Sequence, residues 1–414
     1  MLAWTASSLA ADFLMTRTVV PGLALMLAAL STLGPFSIDT FLPAMGAIGT
    51  ALEASPLEMQ QALSVYLFFY GGMMLWHGSI SDAMGRRPVL MVATGLFACA
   101  SIGCMLAQSL GQLLLFRALQ GVCGGAGLIV GRAIIRDTFD GHDAQRLMSQ
   151  VTMLFSLSPA LAPVIGGWLY GAFGWRSIFA FMALVGLVLF VLCWRWLPET
   201  HARERRSSLA PRMLLRNYWQ VVRQPEFRWL AAAVTFNFAG FFLYIPAAPV
   251  FLMRHLGLGH NDFLWLFGPA VGGIMLGAWL SGTLAGRRSA RELVRMAYVM
   301  MALAAAANLL VCLWLPPAVP WSVLPLGLYT TGMSLAAPSI TLFILDLFPE
   351  LRGTVSSLQG FVQTLFASVV AGVIAPLLWD APLHMALGMA GFLALGYGFI
   401  VRLRYSLRPR RPAA

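Results

Sequence analysis

Long apolar runs recur from one end of this chain to the other, and they constrain its fold more than any other feature. A helical membrane span needs about 20 apolar residues, because the hydrocarbon core is about 30 Å thick and each helical residue rises about 1.5 Å. Runs of that length lie near residues 18–46, 57–81, 88–108, 110–135, 145–170 and 175–197. A second set lies near 229–253, 262–285, 292–314, 319–345, 352–379 and 382–403. A β-barrel is the other way to satisfy backbone hydrogen bonds in lipid, but its strands would alternate polar and apolar residues over roughly ten-residue segments. These runs are longer and apolar all round, so the expected class is an all-α membrane protein with twelve transmembrane helices.

Composition agrees. Of 414 residues, 59% are hydrophobic and 10% charged, against about 25% charged in soluble domains, whose surfaces face water. The net charge of +11 comes entirely from arginine, since the chain has no lysine. With the amino terminus placed in the cytoplasm, the inner loops and tails hold 23 of the 27 arginines and the outer loops hold Arg176 and Arg254. Short cytoplasmic loops are enriched in basic residues, so both termini are expected inside. The basic charge therefore reads as topology rather than nucleic-acid binding. The five cysteines all fall within predicted spans and imply no disulfide framework.

The longest polar interruption, residues 198–228, carries several arginines and has prolines near both ends. It divides the chain into an amino-terminal bundle (18–197) and a carboxy-terminal bundle (229–403). A leader (1–17) and a tail (404–414) are expected in the cytoplasm. Within the linker, Met213 to Val222 has the periodicity of an amphipathic surface helix, although an ordinary linker would read much the same. The halves look like a degenerate repeat: Gly85-Arg86-Arg87 follows span two, and Gly286-Arg287-Arg288 follows span eight, 201 residues later. Six-helix repeats with a midplane site between them recur among transporters.

Three segments carry motifs. The loop after span two contains Gly78, Asp82, Gly85, Arg86 and Arg87 in the string GSISDAMGRR. Span four contains Arg117, Gln120 and Gly121, and span five reads SPALAPVIGG, with Pro159, Pro163, Gly166 and Gly167. A proline in a membrane helix frees a backbone carbonyl and favours a bend, and paired glycines let another helix come close. Together these strings resemble the signature loop, fourth-helix motif and helix-5 antiporter motif of the major facilitator superfamily. SIDTFLPAMG in span one, GRAIIRDTF in span four and LRGTVSSLQG in span eleven are similar to its bicyclomycin and chloramphenicol resistance branch of proton-coupled drug exporters. The sequence departs from the pattern at Ala83, where the family usually has arginine, and at Ser158 and Ala162, which replace glycines. The resemblance implies two pseudo-symmetric six-helix bundles, the major facilitator fold, and a gating role for the signature loop.

Asp39 is the only acid well inside an apolar span of the first half. An ionised carboxylate there costs several kcal/mol, so such a residue lines a cavity, finds a partner or binds a proton. Arg117 is expected at a similar depth, about seven residues (roughly 10 Å) from the outer end of its span, which makes it the obvious partner. Burial and a neighbouring guanidinium act on a carboxyl's proton affinity in opposite directions, and their balance can poise it for exchange. Asp39 and Arg117 are the expected proton-coupling pair; a structural ion pair is the alternative. For a substrate cavity the candidates are Tyr66 and Tyr70 in span two, and Phe236, Asn237, Phe241 and Tyr244 in span seven, aromatics with a few polar groups that suit a mostly apolar organic molecule.

The expected function is therefore a proton-coupled multidrug efflux transporter in a bacterial inner membrane. It would work as a monomer and without a cofactor, with small organic compounds, protons and lipids as partners. The same fold would also serve a proton-coupled importer or a metabolite exporter. A polytopic enzyme is the reading from another class, but the sequence offers no His-rich metal cluster, no phosphate-cradling loop and no convincing Ser-His-Asp set.

Overall fold

A computed structural model describes residues 22–139, 141–206 and 211–406. The expected leader, 1–17, and most of the expected tail lie outside these residues. Helices dominate, in the order α1 (Gly22–Ala51), α2 (Pro56–Met74, continuing as His77–Met84), α3 (Arg86–Leu106), α4 (Leu110–Thr138), α5 (Gly141–Phe173) and α6 (Arg176–Trp196). The second set is α7 (Pro225–Phe242), α8 (Leu264–Leu284), α9 (Ala290–Trp314), α10 (Leu324–Asp346), α11 (Arg352–Leu378) and α12 (Pro382–Ser406).

Ten of the twelve are long and apolar enough by themselves to cross a membrane among the described residues. The other two, α2 and α7, are diluted by polar side chains, and those side chains have structural uses. In α2, Gln60 donates to the Pro246 carbonyl at 2.8 Å, Gln61 to the Gly372 carbonyl at 3.2 Å and Ser64 to the Ser368 carbonyl at 2.9 Å. These are bonds between the two halves. In α7, Asn237 donates to the Tyr298 hydroxyl at 2.8 Å. Polar groups in a bundle interior bond to neighbouring helices because lipid offers them no partner.

The internal repeat is visible in the packing. Helix α2 packs on α4, α3 on α4 and α3 on α6; in the second half α8 packs on α10, α9 on α10 and α9 on α12. The halves meet through α2 on α11 and through α5 on α8, and these two contacts exchange when each helix number is shifted by six. One apolar core runs through both halves and includes Phe41, Tyr66, Phe179, Phe251 and Phe267. A second core, with Leu27, Leu30, Phe97, Ile134 and Cys193, belongs to the first half alone and lies toward its arginine-rich end. The α2–α11 contact runs from Gln61 and Gly372 at one end to Met74 and Gly360 at the other.

Between the halves, Pro211–Arg223 forms a helix, as the periodicity suggested. It buries Tyr218 and Val221 and exposes Met213, Leu215 and Trp219. The Tyr218 hydroxyl donates to the Leu75 carbonyl at 2.9 Å, at the break between the two segments of α2. All five cysteines are free thiols.

Candidate functional site

Arg117 is fully buried in α4, and the surrounding helices account for most of its donors. Its Nη1 donates to the Ser37 hydroxyl at 3.0 Å, to the Ser37 carbonyl at 3.3 Å and to Gln120 Oε1 at 2.9 Å, while Nε reaches the Ala62 carbonyl at 3.3 Å. Gln120 passes the network on, donating to the Ser101 hydroxyl at 2.7 Å. The guanidinium carbon lies 4.3 Å from the Tyr66 ring centre and 5.0 Å from that of Phe41. This cation, which has no ion pair among the described residues, is thus held by oxygen dipoles and two aromatic faces, the interactions a flat guanidinium makes best.

Asp39 is buried as well, at 5% exposure, but it forms no ion pair with Arg117 among the described residues. Arg117 touches Ser37 and Phe41, which flank Asp39 in sequence, so the levels do match. The angles do not. A helix turns about 100° per residue, so Asp39 lies roughly 200° around α1 from Ser37, on nearly the opposite side.

The residue after Asp39, Thr40, meets α5. A Cβ on Gly166 would run into the backbone of Thr40, and one on the adjacent Gly167 would run into the His260 carbonyl, just ahead of α8 in the other half. Helix α5 remains continuous through Pro159 and Pro163. The Pro-Gly-Gly segment therefore presses one helix against the Asp39 region on one side and against the second bundle on the other.

At the arginine-rich end, Gly85 takes φ +103°, open to glycine at little cost, and turns the chain between α2 and α3. Arg86, 5% exposed, ion-pairs with Asp82 and, through Nε at 3.0 Å, with Asp137 at the foot of α4. Its Nη1 also donates to the Ser81 hydroxyl at 2.6 Å, and its backbone N–H to Glu199 beyond α6 at 2.9 Å. Arg87 donates to the Trp194 carbonyl, and a Cβ on Gly78 would meet the Ile129 side chain of α4 only at an ordinary 3.8 Å. The loop thus ties the feet of α2, α3, α4 and α6 together. The matching loop of the second half keeps the turn, with Gly286 at φ +77°, but Arg287 and Arg288 make none of the ion pairs found among the described residues.

The substrate-cavity candidates fall into two groups. Tyr66 and Tyr70 stack at 5.9 Å in the first half, where the Tyr66 hydroxyl donates to the Gly34 carbonyl at 2.9 Å. In the second half, Asn237 is joined to Tyr298, Tyr244 accepts from Asn308 at 2.7 Å, and Phe236 packs against Phe366 at 4.9 Å. Phe241 is buried and packs against Phe238 at 6.3 Å. In this state each group is packed within its own half, and the described contacts do not bring the two groups together. The sequence reading missed Ser37, Asp137, Glu199 and His260. Asp137 and Glu199 had a signal, each being an acid at a helix foot close to arginines, whereas Ser37 and His260 had none that distinguished them from their neighbours.

The comparisons with known proteins agree with this architecture. Residues 25–372 match the family model described as Major Facilitator Superfamily. The chain is 26% identical over 388 residues to the bicyclomycin resistance protein homolog of Haemophilus influenzae, covering 91% of this chain and 95% of that protein. It is 28% identical to multidrug resistance protein D of Escherichia coli, covering 86% and 89%. A bacterial homolog of the human lysosomal transporter Spinster, solved in an inward-facing and occupied conformation, superposes with a TM-score of 0.72 at 17% identity, over 95% of this chain and 99% of that one. The xylose transporter XylE of Escherichia coli superposes with a TM-score of 0.68 at 12% identity, over 95% and 99%. With a repeat-related pair of bundles, a charge-locked loop after α2 and a family match spanning most of its length, this chain belongs to the major facilitator superfamily, a family of membrane transporters.

Proposed function

We propose that the chain is a proton-coupled multidrug efflux transporter that exports small, mostly apolar organic compounds by alternating access across a bacterial inner membrane, with both termini cytoplasmic. The names of its relatives, a bicyclomycin resistance protein homolog and a multidrug resistance protein, support the cargo class. The observation that carries the coupling is the position of Asp39. It is a buried carboxyl in the middle of α1, with no ion pair among the described residues, next to the Thr40–Gly166 contact with α5. A carboxyl in such surroundings is suited to take up and give up a proton.

Helix α5 touches both α1 and the second half, so a change at Asp39 has a short route to the interface between the halves. Proton binding and cargo binding would each favour a different arrangement of that interface, which is what coupling two fluxes requires. Arg117 keeps a role as the fixed charge of the first bundle, through dipoles and rings rather than through a bond to Asp39. The proton gradient supplies the energy and no cofactor is involved.

The test is transport into or out of proteoliposomes under an imposed pH gradient, with wild type and Asp39→Asn, using compounds chosen from a drug panel on cells lacking their main exporters. Gradient-driven flux that vanishes in Asp39→Asn supports the proposal. Undiminished flux in the variant removes Asp39 from the coupling.

A further inference from the structure

Helices α9 and α12 leave a groove of about 560 Å³ between them. Its floor is Ala305 and Leu393, both buried, and its walls include Ala302 and Tyr397, both exposed. Tyr298 and Tyr397 bound the groove near the arginine-rich end, with ring centres 5.4 Å apart, and buried Tyr298 is anchored behind by the hydrogen bond from Asn237. The exposed neighbours along both helices are large and apolar, Val299, Leu303, Leu310 and Leu395 among them. In a membrane protein such a surface faces lipid.

One side chain does not fit a purely apolar wall. Arg295 lines the groove at its arginine-rich end and takes part in none of the ion pairs found among the described residues. The acid one turn earlier, Glu292, is engaged in capping α9, where it accepts from the Ser289 N–H at 2.9 Å. Arg295 lies five residues into α9, about 7 Å from its start, and Leu309 at the far end of the groove lies about 21 Å further along. That length exceeds the roughly 15 Å hydrocarbon depth of one leaflet, so an acyl chain can lie along the groove for its whole length. Arg287, Arg288 and Arg291 make the same end strongly basic.

We infer that this groove is a retained-lipid site: it holds one acyl chain of an anionic phospholipid from the leaflet on the arginine-rich face, with the phosphate on Arg295. Basic pockets between helices at a membrane face recognise anionic headgroups in this way, each arginine near the surface contributing about 1 kcal/mol, or about fivefold in retention. The site is independent of the cargo path and of Asp39.

The full-length protein, purified in detergent and stripped of lipid, is titrated with phosphatidylglycerol or phosphatidylcholine of matched chains, and bound lipid is counted by native mass spectrometry. Wild type should retain one phosphatidylglycerol about fivefold more strongly than phosphatidylcholine. Arg295→Gln should abolish that preference and leave chain binding in place. Ala302→Phe, which projects a ring from an exposed position into the groove, should lose both lipids, whereas Arg288→Gln should keep the single retained lipid. Monodisperse elution of each variant shows that it is folded. Equal retention of the two lipids by wild type, or a preference unchanged in Arg295→Gln, overturns the inference.

Discussion

Arg117 donates to the hydroxyl of Ser37 at 3.0 Å, so the face of α1 that meets the buried cation presents a serine. Asp39, two residues further on, turns to nearly the opposite side, and the residue after it, Thr40, lies with its backbone against Gly166 of α5. The cation and the carboxyl therefore share one helix and one level without sharing a bond, and the two can be perturbed separately.

Replacing Arg117 with lysine keeps the charge and loses the flat fork that reaches Ser37, Gln120 and Ala62 and lies against Tyr66. Hydrogen bonds to a charged group contribute about 1.5–3 kcal/mol each and stacking adds up to about 2 kcal/mol, with partial compensation by the ammonium. Arg117→Lys is expected to lower stability by about 2–3 kcal/mol, read as an earlier midpoint in detergent thermal unfolding. An unchanged midpoint would show that the charge alone matters.

Gly166→Leu is expected to abolish transport. Its side chain would push α5 off the Thr40 backbone, and overpacking of this kind costs about 1–3 kcal/mol even where relief is available. Gly272→Leu, on α8, meets nothing within 4 Å and should leave transport near wild type. Equal effects of the two would argue against a special contact at Gly166.

Within the signature loop, Asp137→Asn should do more harm than Asp82→Asn. The Asp82 side chain is 44% exposed and remains solvated when its partner changes, whereas that of Asp137 is 22% exposed. Removing the more enclosed charge leaves Arg86 with a larger uncompensated penalty. Transport rates of the two variants at matched membrane levels check the order, and a reversed order refutes it.

The linker helix gives a pH prediction. Burial pushes the Tyr218 phenol from its ordinary 10.0 up to about 12, so the folded protein favours the neutral form, which donates to Leu75. The stabilisation is complete below about pH 10 and is lost as pH rises through about 12. Proteolysis of the linker should accelerate across that window in wild type, and Tyr218→Phe should remove the alkaline step while making cleavage somewhat faster at neutral pH.

Much of this architecture is legible in the sequence. The twelve spans follow from runs of apolar residues, because lipid leaves a backbone no choice but to satisfy its own hydrogen bonds. The turn at Gly85, the arginines around it and the Pro-Gly-Gly segment of α5 are local features, carried by a few adjacent residues. Asp39 stood out as an acid in an apolar run, and that too is a local fact.

What the tertiary structure alone decided is which faces meet. Depth can be counted along a helix at about 1.5 Å per residue, and Arg117 touches Ser37 and Phe41, two residues to either side of Asp39. Rotation cannot be counted in the same way, because how each helix turns about its axis is set by neighbours distant in sequence. Two residues of rotation exchanged Asp39 for Ser37 as the partner of Arg117. The same dependence on distant neighbours put Gly166 against Thr40, joined Arg86 to Asp137 and opened the groove beneath Arg295.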